Sequence, residues 1–215
     1  MRTVRLLDLF CGAGGAAVGY HRAGFDVVGV DIAPQPRYPF PFIQADALQY
    51  LKAHGAEYDA IHASPPCQHY SRTGNMSHIN RQDSPDLIPT VRHLLERIGR
   101  PYIIENVTGS PLSGVTLCGL MFDLRVFRHR IFESNVLLMQ PQHKSHRGYR
   151  IGAGGYCCLS GHGDGGRGKV NKYHRRVSTW SLAVDIHWMT RSELCQAIPP
   201  AYTEYLGQQL IRFCA

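Results

Sequence analysis

Apolar positions in this 215-residue chain fall into short runs, separated by turn residues and by stretches of helical spacing. Thr3–Phe10 is apolar and strand-like, Gly12–Gly15 is a glycine turn, and Ala16–Ala23 reads as a helix stopped by Gly24. Phe25–Val30 is another apolar run, ending at Asp31, and Tyr58–Ala63 leads into Ser64-Pro65-Pro66. From Ser84 to Gly99 the apolar residues Leu87, Ile88, Val91, Leu94, Leu95 and Ile98 recur at helical spacing. Ser84-Pro85 fits an N-cap and first helical position, although Pro89 would let the regular helix begin only there. Pro101–Glu105 follows as a buried strand, and Val115–Phe122 and Ile131–Leu138 read as two more. Alternation of short apolar runs with helical patterns predicts an α/β domain built on a mainly parallel sheet.

The pattern then dissolves. Nine of the 21 residues from Gly148 to Gly168 are glycine, too many for a regular core element, so a loop-rich insertion is expected here. Trp180–Trp188 regains apolar character. Ser192–Arg212 reads as helix interrupted by Pro199-Pro200.

Charge adds geography. The formal net charge is +7, but residues 125–176 alone carry 11 Lys/Arg against Glu133 and Asp164, or +9, leaving −2 for the rest. A near-neutral body with one basic segment points to a polyanion partner. A hydrophobic fraction of 44% argues against a disordered chain. No apolar stretch approaches the roughly 18 residues of a membrane span. The chain runs at once into a strand-like segment, so no secretory signal is expected. Seven cysteines fit reduced intracellular thiols better than a disulfide framework, so a cytoplasmic setting is expected.

Three segments carry candidate chemistry. Leu6–Phe10 followed by Cys11-Gly12-Ala13-Gly14-Gly15 is strand, turn and helix start, with Gly12-x-Gly14-x-x-Ala17 matching a dinucleotide fingerprint. Asp31, ending the next strand, is placed to hold ribose hydroxyls. The pattern fits an adenosine-type cofactor, nicotinamide dinucleotide and S-adenosylmethionine alike. Asp46 is either a contact to the adenine edge or a helix N-cap. Ala63-Ser64-Pro65-Pro66-Cys67-Gln68 puts a thiol on a proline-stiffened loop past a strand end, where catalytic groups of open α/β sheets lie. Cys11, Cys118, Cys195 and Cys214 read instead as packing thiols. Tyr102-Ile103-Ile104-Glu105-Asn106-Val107 places a carboxyl at the end of a buried strand, where it is costly unless it has partners or work.

Taken in order, Asp8-Leu9-Phe10-Cys11-Gly12-Ala13-Gly14-Gly15, Pro65-Pro66-Cys67-Gln68, Glu105-Asn106-Val107 and Arg128-His129-Arg130 resemble the DNA (cytosine-5) methyltransferase family. The resemblance is strong over residues 4–134 and resumes weakly from 189. It implies a Rossmann-like S-adenosylmethionine-dependent methyltransferase fold, a mostly parallel sheet with helices on both faces, plus a small glycine-rich insertion. It implies that Cys67 attacks C6 of a flipped-out cytosine, that Glu105 engages N3 and the exocyclic amine, and that Arg128 and Arg130 support the base. S-adenosylmethionine is the implied methyl donor, with Phe10, Gly12, Gly14, Asp31, Ile32, Asp46 and Pro65 at the cofactor positions. Asp31 stands where the family more often has glutamate, Val126 where it has glutamine, and Ala63-Ser64 where it has two glycines. The terminal Gly-Asn-Ser motif is missing. In its place Pro199-Pro200-Ala201-Tyr202-Thr203 resembles endings found in small phage-type members, which assigns Tyr202 and Thr203 to the cofactor.

The expected organisation is a catalytic core over 1–138, a short target-recognition insertion over 139–188 and a helical return over 189–215. Arg147, Arg150, Lys169, Lys172, Arg175 and Arg176 are the expected contacts to double-stranded DNA. The enzyme is expected to act as a monomer, in a bacterial or phage-infected cell, in restriction-modification, an orphan role or phage DNA marking. The same motifs leave open an RNA substrate of tRNA type, or a non-catalytic nucleic-acid binder. A nicotinamide dehydrogenase leaves Pro-Pro-Cys-Gln unexplained. A metal is not expected: His143, His146, Cys157, Cys158 and His162 could ligate zinc, but adjacent cysteines suit the usual spaced ligand pairs poorly.

Overall fold

The computed structural model describes residues 2–70, 85–149, 156–157, 159 and 176–214. Ser84, Arg150, Lys169, Lys172 and Arg175, as well as Cys158 and His162, lie outside the described residues.

Among the described residues, seven strands form one sheet: β1 (Val4–Leu9), β2 (Phe25–Asp31), β3 (Phe42–Gln44), β4 (Ala60–Ala63), β5 (Tyr102–Asn106), β6 (Val115–Leu117) and β7 (Arg130–Ser134). Their order is β3-β2-β1-β4-β5-β7-β6. The first four pairings are parallel, and β7 runs antiparallel to both β5 and β6. The chain winds outward from β1 to β3, then returns to place β4 on β1's other side. This reversal makes β1/β4 the switch point, where the strand ends open into a crevice.

Alternation in β1 shows how the sheet is covered. Leu6 packs on one face with α1 (Gly15–Arg22) and α6 (Pro200–Leu210), while Leu7 and Leu9 pack on the other with α2 (Ala47–His54) and α3 (Ile88–Ile98). The α3 stripe Ile88, Val91, Leu94 and Leu95 is buried as its spacing requires. Each such side chain contributes about 1.5–3 kcal/mol relative to exposure. A third cluster joins α4 (Val177–Val184) and α5 (Arg191–Gln196) to Ala13 and Val126.

Several boundaries differ from the sequence pattern. Pro85 is outside α3, which starts at Ile88 with Pro89 in its first turn, where a missing N–H costs nothing. The run Val115–Phe122 is a strand only to Leu117. The chain then folds into a 3-10 turn, Gly119–Phe122, because Gly119 lies so close under the Val126 carbonyl that a Cβ would sit 1.8 Å from it. Likewise β7 stops at Ser134, where side chains take over its hydrogen bonding: Ser134 Oγ donates to the Tyr102 carbonyl, and Asn135 Oδ1 accepts from the Tyr102 N–H.

Helices α1 and α6 meet backbone to backbone. A Cβ on Gly19 would lie 2.1 Å from the Pro200 carbonyl and from Thr203 Oγ1, so only glycine permits this approach. Thr203 Oγ1 donates to the Ala16 carbonyl at 2.8 Å, tying α6 to the first turn of α1 and so to the glycine loop before it.

Candidate active site

The loop after β1 turns through left-handed backbone at Phe10 (φ 56°), Gly12 (φ 49°) and Gly14 (φ 84°). Gly14 is further required because a Cβ there would meet the Pro39 ring at 2.7 Å, whereas one on Gly12 would meet no atom of the described residues within 4 Å. The loop therefore offers bare backbone on its outer side, ahead of the α1 N-terminus. Asp31 braces it: Oδ2 accepts from Gly12 N and Oδ1 from Ala33 N, each at 3.0 Å. Each oxygen keeps a second lone pair for a ligand. Trp188 Nε1 donates to the Ala13 carbonyl at 2.8 Å, bringing the C-terminal part of the chain to the same loop. The Ile32 side chain beside it is largely exposed. Asp46 is exposed and caps α2, accepting from Gln49 N at 2.9 Å. Burial, and then Asp8 and Asp31, push the Cys11 thiol far above the ordinary range, which removes it as a nucleophile.

Below the loop lies a buried polar pair. His62 Nδ1 is 2.7 Å from Asp8 Oδ1, and both side chains are essentially inaccessible. Tyr38 Oη donates to Asp8 Oδ2 at 3.3 Å, and Ser64 Oγ lies 3.4 Å from His62 Nε2. The pair thus joins β1 to β4 immediately behind the cysteine loop. We expect His62→Ala to lower stability by about 3–5 kcal/mol in urea unfolding, because it leaves the buried Asp8 carboxyl with only the long Tyr38 Oη bond. A loss below about 1 kcal/mol would show that the pair does not hold the strands.

The thiol and the acid leave neighbouring strands. Register pairs Leu9 with Ala63 and Ala63 with Ile104, so Phe10, Ser64 and Glu105 step past the same level of the sheet. Pro65 is buried, and its carbonyl accepts from Asn106 Nδ2 at 2.9 Å. That bond fixes the start of the cysteine loop to the end of the glutamate strand. Cys67 is half-buried, and its carbonyl accepts from Tyr70 N at 3.0 Å, closing a turn. Glu105 is only 5% exposed. Arg130 Nε lies 3.0 Å from Glu105 Oε1, close enough for an ion pair but off the hydrogen-bond axis, and this oxygen has no hydrogen-bond partner among the described residues. A buried carboxyl with one imperfect partner is costly, and such groups cluster where chemistry is done.

The structure brings Phe10, Gly12, Gly14, Asp31, Ile32, Pro65, Cys67, Glu105 and Arg130 to the C-terminal edge of the parallel strands, with Asp46 just beyond β3. Three residues differ from expectation. Tyr202 and Thr203 have no surface to offer a cofactor: both are fully buried, Tyr202 Oη donates to the Arg128 carbonyl at 2.9 Å, and Thr203 is held by α1. They brace the site from beneath. Arg128 turns from Glu105 toward the C-terminal segment, with Nη2 donating to the Cys195 carbonyl at 2.7 Å. Its Nε is buried without a hydrogen-bond partner among the described residues, and burial, with Arg130 beside it, brings the guanidinium down to about 9, still a cation at neutral pH. Asn106, His62 and Trp188 are the supports that sequence reasoning missed. Asn106 stood inside a quoted motif, whereas nothing local marks Trp188. Of the expected DNA contacts, Arg147 and Arg176 are exposed.

Known proteins resemble this chain in sequence and in fold. Residues 4–110 match the family C-5 cytosine-specific DNA methylase. The chain is 28% identical over 113 residues to Type II methyltransferase M.FnuDI of Fusobacterium nucleatum, a match covering 49% of this chain and 33% of that protein. It is 28% identical over 121 residues to Type II methyltransferase M.AquIA of a Picosynechococcus species, covering 49% of each. The matches thus span half or less of these curated relatives. The crystal structure of S. pombe Dnmt2 methyltransferase superposes with a TM-score of 0.59 at 14% identity, over 97% of this chain and 98% of that one, so the fold is that of a methyltransferase. With the first three of the four ordered motifs inside residues 4–110 and standing where the strand ends converge, that matched segment places the chain in the C-5 cytosine-specific DNA methylase family.

Proposed function

We propose that this protein transfers a methyl group from S-adenosylmethionine to C5 of a flipped-out cytosine in double-stranded DNA, through a covalent bond between Cys67 and C6. The observation that carries this reading is the clamp of Pro65 by Asn106, which sets the Cys67 loop against β5 and its buried Glu105, faced by Arg130 of β7.

The glycine loop fits the donor: Gly12 presents bare backbone, and Asp31 has unused lone pairs. Phe10, Gly12, Gly14, Asp31, Ile32, Asp46 and Pro65 would hold S-adenosylmethionine, which supplies the electrophilic methyl group. The Cys67 thiolate forms the S–C6 bond, and the electron pair of the C5–C6 double bond moves onto C5. Glu105 holds N3 and the exocyclic amine, and Arg130 keeps Glu105 in place. After C5 is methylated, loss of its proton restores the double bond and breaks the S–C6 bond, freeing Cys67. The target base must leave the stack, since C6 is out of reach within a duplex.

We assign 1–138 to catalysis, 139–188 to target recognition and 189–215 to a return onto the core. Arg147 and Arg176, with Arg150, Lys169, Lys172 and Arg175 of the same basic segment, would neutralise DNA phosphates. No helix among the described residues is long and apolar enough to cross a membrane.

Incubation with methyl-labelled S-adenosylmethionine, duplex DNA and tRNA tests the reading. Label is expected in cytosine of the DNA and absent from the tRNA. Label in tRNA alone, or in neither, would overturn the assignment.

A further inference from the structure

We infer that Cys118, His129, His143 and His146 bind one divalent transition-metal ion, with zinc best matched to the donors. The four residues come from three separate segments: the turn after β6, the Arg-His-Arg stretch entering β7, and the irregular chain beyond β7. Their ligand atoms nevertheless all lie within 4.8 Å of one another. Cys118 Sγ is 3.3 Å from His146 Nε2, and His129 Nε2 is 3.2 Å from His143 Nε2. A tetrahedral zinc with bonds of about 2.3 Å to sulfur and 2.0–2.1 Å to nitrogen sets its ligands about 3.3–3.6 Å apart. Two pairs are therefore already at ion-sharing distance, and small ring rotations would bring in the others.

The chemistry of the set is selective. One thiol and three imidazoles suit zinc and its neighbours, and without a carboxylate they suit calcium or magnesium poorly. Cys118 is fully buried, as a thiolate ligand shielded from solvent should be. Phe127 stacks on the His146 ring, with centroids 4.5 Å apart and an interplanar angle of 21°, and so fixes its plane. Packing alone gives little reason to draw His143 and His146 onto a third histidine and a buried thiol. The segment 140–146 has no helix or strand of its own, and a shared ion explains why it converges here. Binding would displace the Cys118 thiol proton, forming the metal–sulfur bond as that proton leaves to solvent.

Placement gives the ion a structural role. It would anchor the chain entering 139–188 to His129, which lies between Arg128 and Arg130. The stretch feeding the basic insertion would thereby be locked to the strand that carries Arg130 toward Glu105. The metal site does not depend on the methyl-transfer reading, and metal content reports on it without any turnover.

The test uses the full chain, purified without chelator and without a histidine tag. Elemental analysis is expected to give close to one zinc per chain. Replacement by cobalt(II) is expected to give the intense visible bands of tetrahedral coordination and a thiolate charge-transfer band in the near ultraviolet. Cys118→Ser should abolish the charge-transfer band. His143→Asn, at an exposed position where folding is safe, should weaken cobalt affinity more than about 100-fold, beyond the usual effect of losing only an outer-shell partner. Cys158→Ser combined with His162→Asn should leave both signals intact. Wild-type protein with neither zinc nor a thiolate band would overturn the site. So would full metal content in a Cys118→Ser/His143→Asn double variant, or its loss in the Cys158→Ser/His162→Asn variant.

Discussion

Cys67→Ser should reduce methyl transfer by more than about 10⁴-fold, the scale on which loss of a covalent nucleophile is felt, while leaving S-adenosylmethionine affinity within about threefold. The two halves of the expectation rest on different parts of the site. A hydroxyl is far less nucleophilic than a thiolate, so addition to C6 fails. Most cofactor residues lie on the glycine loop and around the end of β2, Asp46 caps α2, and Pro65 is held through its carbonyl by Asn106, so none depends on the Cys67 side chain for its conformation. The Cys67 loop is itself fixed by backbone: Asn106 holds the Pro65 carbonyl, and Tyr70 N closes the turn on the Cys67 carbonyl. Exchange of sulfur for oxygen at a half-buried position leaves these bonds in place. Labelled-methyl transfer read beside calorimetric cofactor titration separates the two. A variant that turns over within tenfold of wild type removes the covalent step, and a folded variant that no longer binds cofactor moves the thiol to the wrong part of the site.

The parallel half of the sheet was legible because its signals are local. Leu6–Leu9, Phe25–Val30 and Ile61–Ala63 are apolar runs ended by turn residues, and α3 declares itself by spacing. The same locality made Cys67 and Glu105 visible, since a strand-end position follows from the run before it. What escaped depends on contacts between distant segments. The strand β6 stops at Leu117 because Val126 crosses above Gly119. Tyr202 and Thr203 face α1 and the Arg128 loop, which no spacing within 198–203 reveals. His62 looks like an ordinary polar interruption of an apolar strand until Asp8 is placed beside it by sheet register. The Cys118 cluster is the extreme case: its ligands lie up to 28 positions apart and at two strand ends, so sequence spacing offers His143 and His146 only beside Cys157, Cys158 and His162, a set that argues against a metal.

Glu105→Gln should lower kcat by about 10²–10⁴-fold, the range for loss of a positioned acid or base, with little change in KM for DNA. The substitution keeps shape and burial but replaces the carboxyl that faces Arg130 at 3.0 Å. It also removes the acid that can pass a proton to the ring nitrogen as that nitrogen gains electron density during attack on C6. The ground-state base carries no such added density, so binding should be spared and the loss should fall on the chemical step. Trapping by duplex DNA containing 5-fluorocytosine makes the distinction direct: the variant should form the Cys67 adduct slowly but to the same final extent. A purely structural glutamate, holding Arg130 and nothing else, predicts a different pattern. Its loss would lower the melting temperature and loosen DNA binding, while adduct formation at saturating DNA stayed at the wild-type rate. Arg130 retains 16% side-chain exposure, so water can partly compensate its guanidinium in the variant, and the fold should survive for the rate to be measured. A Gln variant that forms adduct within threefold of the wild-type rate would assign Glu105 to the ion pair and leave the ring nitrogen to another donor.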